Sequence, residues 1–555
     1  MNVCEALLEV LSQYHVKYIF GIPGDAINEL IEAVRKQNKI KFIHVMHEET
    51  GAFAASAQAK LSGSLAVCVG TAGPGSIHLL NGLYDAKKDH APVLAITGQI
   101  ETSLLGTNYH QEVDLIKLFQ DVSVYNQMLV DVDQLPGMIT YACQAAIANK
   151  GVAHINIPVN ISGKTVKPFK SQKYFNNKSF LLPHVYDIQA AAVLINNARK
   201  TCILIGIGAI DAVNELLQFA ELIKAPIIKS LRGKDILPDL HPLTLGGIGL
   251  LGTEASYKAI KECDLMITIG SDLPYSEFYP DKDVPVIQID NNIEQVGRRF
   301  PATIGLVGDA KLTLIELLNL VIEKEESTFL KECQMHMKHW LKKQDEKELS
   351  DKVPLHPQMI TRTVSDFADD DAIICCDTGA VTVWGARNFR LKGKQRFTLS
   401  GGLASMAFGL PAAIGAKLLY PKKQVIALCG DGGFAMLMCD FATAIKYNLN
   451  IKIIIFNNAK LGLIQMEEEA RSGNPEYETE LCDPNYAMFA NSCGGEGYTV
   501  SNSHELKSVL SIALKSNKPA IINVYVNANE LTMPPKISAS QALNFIKAKI
   551  KETFI

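Results

Sequence analysis

No apolar stretch of this 555-residue chain reaches the roughly 18 uninterrupted residues that span a bilayer. Positive charge is not in excess either. Lys and Arg number 54 against 58 Asp and Glu, a formal charge of −4, which argues against binding nucleic acid through a basic patch. The N-terminus, MNVCEALLEVLSQYHVKYIFG, lacks the basic region that opens a secretory signal and carries Glu5 and Glu9 within its first helical pattern. The 12 cysteines include no CxxC pair, and Cys68 and Cys429 sit inside apolar strand-like runs. They read as reduced, buried thiols of a cytoplasmic protein, not as a zinc site or disulfide frame. Low-complexity tracts and short tandem repeats are also missing.

What is present is a large core. Hydrophobic residues make up 48% and charged residues 20%. Continuous apolar runs at 18–20, 65–70, 93–97, 153–157, 202–206, 225–228, 265–270, 284–289, 372–376, 425–428, 451–456 and 520–526 alternate with longer helical patterns. Strands of that kind are covered on both faces, so the fold class is α/β with doubly wound parallel sheets. Two polar segments, 163–186 and 324–352, divide the chain into domains at about 1–165, 186–325 and 353–530, followed by a tail, 531–555. The second divider has Phe329, Cys333 and Trp340 at helical spacing and is expected to hold a surface helix.

The strongest chemical signal is VIALCGDGGFAMLMCDFATAIKYNLNIKIIIFNNAKLG. A strand at 425–428 runs into Gly430, Asp431 and Gly432. A helix follows with Met436, Phe441, Ala444 and Ile445 as its apolar stripe, and a second strand at 451–456 ends in Asn457 and Asn458. In a βαβ unit both turns emerge at the carboxyl ends of parallel strands. Asp431 and Asn458 then offer hard oxygen ligands to Mg²⁺, while Gly430, Gly432 and Gly433 let a diphosphate approach the backbone. A lone GDG is an ordinary glycine turn. GDG followed by 24 residues and NN on strand–helix–strand is far more specific.

This pattern resembles the thiamine-diphosphate signature of the pyruvate oxidase, acetolactate synthase and pyruvate decarboxylase family, and the resemblance runs through nearly the whole chain. It implies that Asp431, Asn458 and the backbone carbonyl of Lys460 hold Mg²⁺. FGIPGDAINELIEAV, VMHEETGAFAASAQAKLSG and GTAGPGSIHLLNGLYDA look like the family's pyrimidine-binding domain. By that likeness Glu48, directly after His47, is the glutamate that activates the cofactor's pyrimidine. LSGGLASMAFGLPAAIGAK matches the stretch that bends the cofactor, with Met406 as the apolar wedge and Ala404 as backbone acceptor for the 4′-amino group. The family also implies shared sites, hence a homodimer at least and often a homotetramer.

The middle domain carries ILIGIGAIDA, GGIGLLGTEAS, IGSDLPYSEFYP and VIQIDNN. Gly206 and Gly208 lack the third glycine of a full GxGxxG pattern. Asp290, at a strand end, suits an adenosine ribose or a turn cap. In order, these segments resemble the FAD domain of pyruvate oxidases and quinone-linked pyruvate dehydrogenases. That resemblance places Gly206, Gly208, the 249–252 turn with Gly249 and Gly252, Ser271, Pro274, Tyr275 and Asp290 at FAD, with Asp309 as a further position.

Two local comparisons bear on the reaction. Pyruvate oxidases carry a glutamate where this chain has Glu467, and acetolactate synthases a tryptophan. Gln111 would face the substrate, but His110 precedes it where the family normally has phenylalanine. The resemblance thus implies oxidative decarboxylation of pyruvate through hydroxyethyl-thiamine diphosphate. Electrons pass to FAD and then to oxygen or quinone, giving acetate or acetyl phosphate plus CO₂. The alternative is an acetolactate synthase-type carboligase with structural FAD. The tail places Leu543, Ile546, Ile550 and Phe554 at helical spacing beside Lys547, Lys549 and Lys551. It is expected to pack on the protein itself, with peripheral contact at the inner face of a membrane as the other reading.

Overall fold

The computed structural model describes residues 1–170, 180–530, 532 and 539–552. Three six-stranded sheets form its frame. The first contains β1 (Tyr18–Gly21), β2 (Lys41–His44), β3 (Ala66–Gly70), β4 (Val93–Gln99), β5 (Ser123–Met128) and β6 (Val152–Pro158), in the order β2-β1-β3-β4-β6-β5. The middle sheet contains β7 (Thr201–Ile205), β8 (Ile227–Lys229), β9 (Thr244–Gly247), β10 (Leu265–Ile269), β11 (Val286–Asp290) and β12 (Ile304–Val307), in the order β9-β8-β7-β10-β11-β12. The third contains β13 (Ile373–Cys376), β14 (Arg396–Leu399), β15 (Val425–Gly430), β16 (Ile451–Asn457), β17 (Glu496–Val500) and β18 (Ala520–Tyr525), in the order β14-β13-β15-β16-β18-β17. The registered pairs between these strands are parallel. This is the expected α/β class with doubly wound parallel sheets.

Counted within each domain, the first and third sheets share one strand order, whereas the middle sheet follows the order 3-2-1-4-5-6 of dinucleotide-binding folds. The middle order reverses once, at β7 against β10; the other two reverse at β1 against β3 and at β13 against β15, and again where β6 and β18 return inside β5 and β17, and a crevice opens at the carboxyl ends where an order first reverses. The apolar runs seen in the sequence are the central strands. The edges β2, β5, β9, β12, β14 and β17 do not stand out as such runs. β5 has no fully buried residue and β2 has one, so neither needs continuous hydrophobicity.

The divider helix forms as Thr328–Glu348 and buries Phe329, Cys333 and Trp340. The helix after the glycine turn departs from expectation. It runs Asp431–Leu437, breaks into a 3₁₀ turn at Met438–Asp440, and resumes at Phe441–Lys446. Met436 is 59% exposed, and Phe434, Leu437, Phe441 and Ala444 form the buried stripe instead. The break turns Asp440 outward to the first domain. There it accepts from Met46 N at 2.8 Å and Thr50 Oγ1 at 2.5 Å.

The tail forms a helix, Ala539–Glu552, lying along the helix Gly462–Ser472. Its polar side makes the contact. Asn544 donates to the carbonyls of Ala470 and Arg471, and Lys549 pairs with the buried Glu469 at 2.9 Å. Leu543, Ile546 and Ile550 face outward, and Phe554 lies outside the described residues. No helix among the described residues is long and apolar enough to cross a membrane.

The first and third domains meet where helix Glu48–Ser62 crosses helix Gly409–Leu419. The approach is close: a Cβ on Gly415 would stand 2.4 Å from the Ala54 carbonyl oxygen. Alanine would raise helix propensity by about 1 kcal/mol, but it would have to push one backbone off another. Gly415→Ala should therefore lower the thermal unfolding midpoint by several degrees. An unchanged or higher midpoint would show that the seam yields.

Candidate functional site

β15 and β16 are neighbours with Gly430 opposite Phe456, so their carboxyl-terminal turns lie side by side. Asp431 opens its helix and Asn458 follows β16. The Asn458 side-chain oxygen stands 2.8 Å from the Lys460 carbonyl oxygen and 3.2 Å from Asp431 Oδ1. Asp431 Oδ2 is buried with no hydrogen-bond partner among the described residues. Turning the Asn458 amide would make donors for two of these oxygens yet leave Oδ2 unpaired. A small divalent cation meets the whole set. At Mg²⁺–O distances of about 2.1 Å, adjacent octahedral ligands lie about 3 Å apart. The donor set therefore fits the ion that the sequence implies.

Burial pushes the Asp431 carboxyl up to about 6, against backbone N–H groups of Gly432 and Ala459 that favour its charged form. Around it, Gly430 faces open space. A Cβ on Gly432 would meet Leu481 Cδ1 at 2.9 Å, Leu461 Cδ2 at 3.2 Å and Met406 Cε at 3.5 Å, so the methionine lies over the turn together with two leucines. A Cβ on Gly433 would strike Asp377 Oδ2 at 2.7 Å. Lys460 turns its side chain away to Glu476, leaving its carbonyl toward Asn458. Asp431, Asn458, Lys460, Gly432, Gly433 and Met406 thus converge. Ala404, at φ +56°, lies in the exposed loop just before Met406.

In the first domain Glu48 opens helix Glu48–Ser62 and is 6% exposed. Its Oε2 lies 3.0 Å from His78 Nδ1, and the His78 ring stacks on His47 at 4.3 Å. Gln111, held at φ +60°, backs onto Gly73 two residues before Gly75, which itself faces the Glu48 carboxylate. His110 is exposed. Glu48 and Gln111 are therefore brought into one crevice. His78, Asp377 and Asp440 escape a motif reading. The legible signal for Asp377 is its place directly after a continuous apolar strand, the same kind of place that Asp431 occupies.

In the middle crevice a Cβ on Gly206 would stand 2.2 Å from the Gly270 carbonyl oxygen, and one on Gly208 2.7 Å from Gly270 Cα. These glycines serve the contact of two turns at the strand-order reversal. Ser271 Oγ, beside that contact, is buried without a partner among the described residues. Asp290 ends β11 and accepts from Asn292 N at 2.9 Å; burial raises its carboxyl. Gly249, at φ +89°, sits against the half-exposed Tyr275 ring, with exposed Pro274 beside it, while Gly252 packs onto Ile248. Asp309 caps helix Ala310–Leu318. Glu467 is exposed on its helix, and the buried acid of that run is Glu469.

The buried Asp431 carboxylate, with one oxygen unpaired among the described residues, has a consequence for stability. A buried acid with its folded value near 6, against about 4 unfolded, destabilises the cation-free protein as pH rises from about 4 to about 6, by on the order of 2–3 kcal/mol above that. Asp431→Asn should raise the thermal midpoint of the cation-free protein at pH 7 and remove the further rise that Mg²⁺ gives the parent. A midpoint that falls, or that still climbs with Mg²⁺, counts against the cation assignment.

Family models match along the chain: the thiamine pyrophosphate enzyme N-terminal TPP binding domain at residues 1–118, the central domain at 188–317 and the C-terminal TPP binding domain at 377–524. A Bacillus subtilis protein, YdaP, whose name describes it as thiamine pyrophosphate-containing, is 43% identical over 99% of this chain and 96% of its own. A pyruvate oxidase of Lactiplantibacillus plantarum is 32% identical over 97% of this chain and 90% of its own. A protein of Methanocaldococcus jannaschii named probable acetolactate synthase large subunit is 33% identical over 96% and 94%. With three matching domains and relatives aligned end to end, the chain belongs to the thiamine pyrophosphate enzyme family, in the group of the pyruvate oxidases and acetolactate synthases.

Proposed function

We propose that this enzyme oxidatively decarboxylates pyruvate with thiamine diphosphate, Mg²⁺ and FAD, passing electrons on to oxygen or a quinone and releasing acetate or acetyl phosphate with CO₂. The observation that carries the flavin part is the 3-2-1-4-5-6 order of the middle sheet, with the unpaired Ser271 hydroxyl at its reversal. The two cofactors, when bound, supply an electron sink for decarboxylation and a two-electron acceptor.

The chain's own residues bind and orient. Asp431, Asn458 and the Lys460 carbonyl hold the cation; the backbone at Gly430, Gly432 and Gly433 admits the diphosphate. Met406, lying over the turn, would support the cofactor from below, and the Ala404 carbonyl would be its backbone acceptor. The Glu48 carboxyl holds a proton at the pyrimidine N1′, with His78 orienting it. Gln111 would face the substrate, and Glu467, where acetolactate synthases carry a tryptophan, would favour oxidation over ligation. Gly206, Gly208, Gly249, Gly252, Ser271, Pro274, Tyr275 and Asp290 line the flavin crevice.

The site is shared between two copies of the chain. Within one copy, Glu48 turns to His78 and Gly75, while Met46 and Thr50 dock on Asp440, at the far end of the helix from Asp431. Met46, Ile77 and Met436, exposed by 44%, 43% and 59% beside the two half-sites, are the apolar surface that a second copy would cover. Glu48→Gln and Asp431→Ala should each be nearly inactive alone, and co-assembled mixtures of the two should recover activity. Hetero-oligomers without recovery would refute sharing.

The acetolactate synthase relative is as similar as the pyruvate oxidase, which favours the carboligase as the second reading. Oxidation must reduce the flavin in every cycle, whereas ligation has no net redox change. Anaerobic pyruvate should bleach the flavin within one turnover, and Glu467→Trp should shift product toward acetolactate. A yellow enzyme that makes acetolactate steadily without bleaching would replace the oxidase reading with the carboligase.

A further inference from the structure

The loop that carries Ala404 and Met406 runs from the end of β14 at Leu399 to the helix starting at Gly409. It is a strained piece of chain. Ala404 and Ala407 both hold positive φ, +56° and +71°, a region that costs a non-glycine residue about 1 kcal/mol or more. Such strain persists only where neighbours over-determine the backbone. Here the neighbours are two buried aspartates, one at each end.

Asp89, from the first domain and 1% exposed, accepts from Gly401 N at 3.0 Å and Gly402 N at 2.8 Å. Lys60 pairs with it at 2.6 Å and Arg232 of the middle domain approaches at 3.5 Å. Burial alone would raise the Asp89 carboxyl; the two cations outweigh it and hold the group down at about 2. The fit leaves no spare room, because a Cβ on Gly401 would collide with Arg232 Cγ and Cδ at 2.6 Å and one on Gly402 with the Lys88 carbonyl oxygen at 2.8 Å.

Asp377, at the carboxyl end of β13 and 1% exposed, grips the other end. Its Oδ1 accepts from Phe408 N at 3.2 Å and Thr378 N at 2.7 Å; burial pushes the carboxyl up to about 7, against these N–H groups and those of Gly409 and Ala407, which favour its charged form. Its Oδ2 faces Gly433, so the same side chain borders the diphosphate turn. Between the anchors the loop closes on itself through Ser405 N to Ser400 Oγ at 2.9 Å, and Asn81 of the first domain reaches Ser405 Oγ at 3.1 Å.

We propose that Asp89 and Asp377 are positioning residues: a two-ended clamp that holds the Met406 loop in its strained form and so presents Met406 and the Ala404 carbonyl to the cofactor. The proposal rests on the reading of Met406 and Ala404 given above. Asp89 makes that geometry depend on all three domains, and Asp377 ties it to the diphosphate turn.

Hydrogen exchange on the full-length enzyme with Mg²⁺ tests the clamp directly. In Asp377→Asn, peptides covering 399–409 should exchange at least ten-fold faster, and Asp89→Asn should do the same at Gly401 and Gly402. Each substitution acts at one end, so either variant alone decides if the other fails to fold. Thiamine diphosphate affinity should fall at least ten-fold in both, with the pyruvate KM unchanged. Unaltered exchange overturns the clamp. Faster exchange with unchanged cofactor affinity overturns its positioning role. Met406→Ala, measured alongside, keeps the readings apart. If it leaves cofactor affinity intact, the wedge reading has failed, and the exchange rates still decide the clamp.

Discussion

Two adjacent parallel strands that end together are the constraint on which the rest of this molecule depends. β15 and β16 bring Asp431, Asn458 and the Lys460 carbonyl to one point, and they leave a carboxylate oxygen there without a partner. Three oxygens so close repel one another, and a buried anion is expensive to keep. The fold holds them only because the strands and the helix beyond are packed on both faces. The third-domain core around Phe434, Phe441, Ile453 and Ile455 is the restraint that keeps these oxygens facing each other.

Seen from that point, the remaining elements order themselves by distance. Met406 and Asp377 touch the same turn. Asp440, past the break in the helix, carries the third domain to the first, and Lys60 with Asp89 carries both to Arg232 of the middle domain. Lys60 also lies over the Phe408 ring at 4.4 Å, so one buried cation meets two aspartates and an aromatic face in a single junction. Polar groups are concentrated where domains must hold a fixed relation. Apolar ones fill the sheets.

Much of this was legible in the chain, and the limits have physical causes. Central strands such as 65–70 and 451–456 are buried on both faces and announce themselves as apolar runs. Edge strands such as Ser123–Met128 are half wet and do not. Asp431 and Asn458 could be paired because βαβ geometry fixes where both turns emerge. Helical spacing puts Met436 on the buried stripe only if the helix is unbroken, and the 3₁₀ turn at Met438–Asp440 resets the phase. Helical spacing predicts the tail on the protein's own surface, and it lies there, but its lysines and asparagine make the contact around the buried Ala548 while Leu543, Ile546 and Ile550 face away. Amphipathic spacing names two faces without saying which one docks. Asp89 and Asp377 bond to backbone N–H groups far along the chain, a kind of pairing that leaves no motif.

The first and third sheets repeat one strand order, 2-1-3-4-6-5, although the sequence shows no short repeat. Strand order is set by the handedness and length of crossovers, which tolerate wholesale replacement of side chains. Two halves that began alike can therefore drift apart in every residue and keep the same skeleton. The glutamate of Glu48 and the aspartate of Asp431 both open a helix at the carboxyl end of their own sheet. Duplication of a single ancestral half would leave that mark: one scaffold kept twice, with Glu48 after the second strand of its sheet and Asp431 after the third strand of the other.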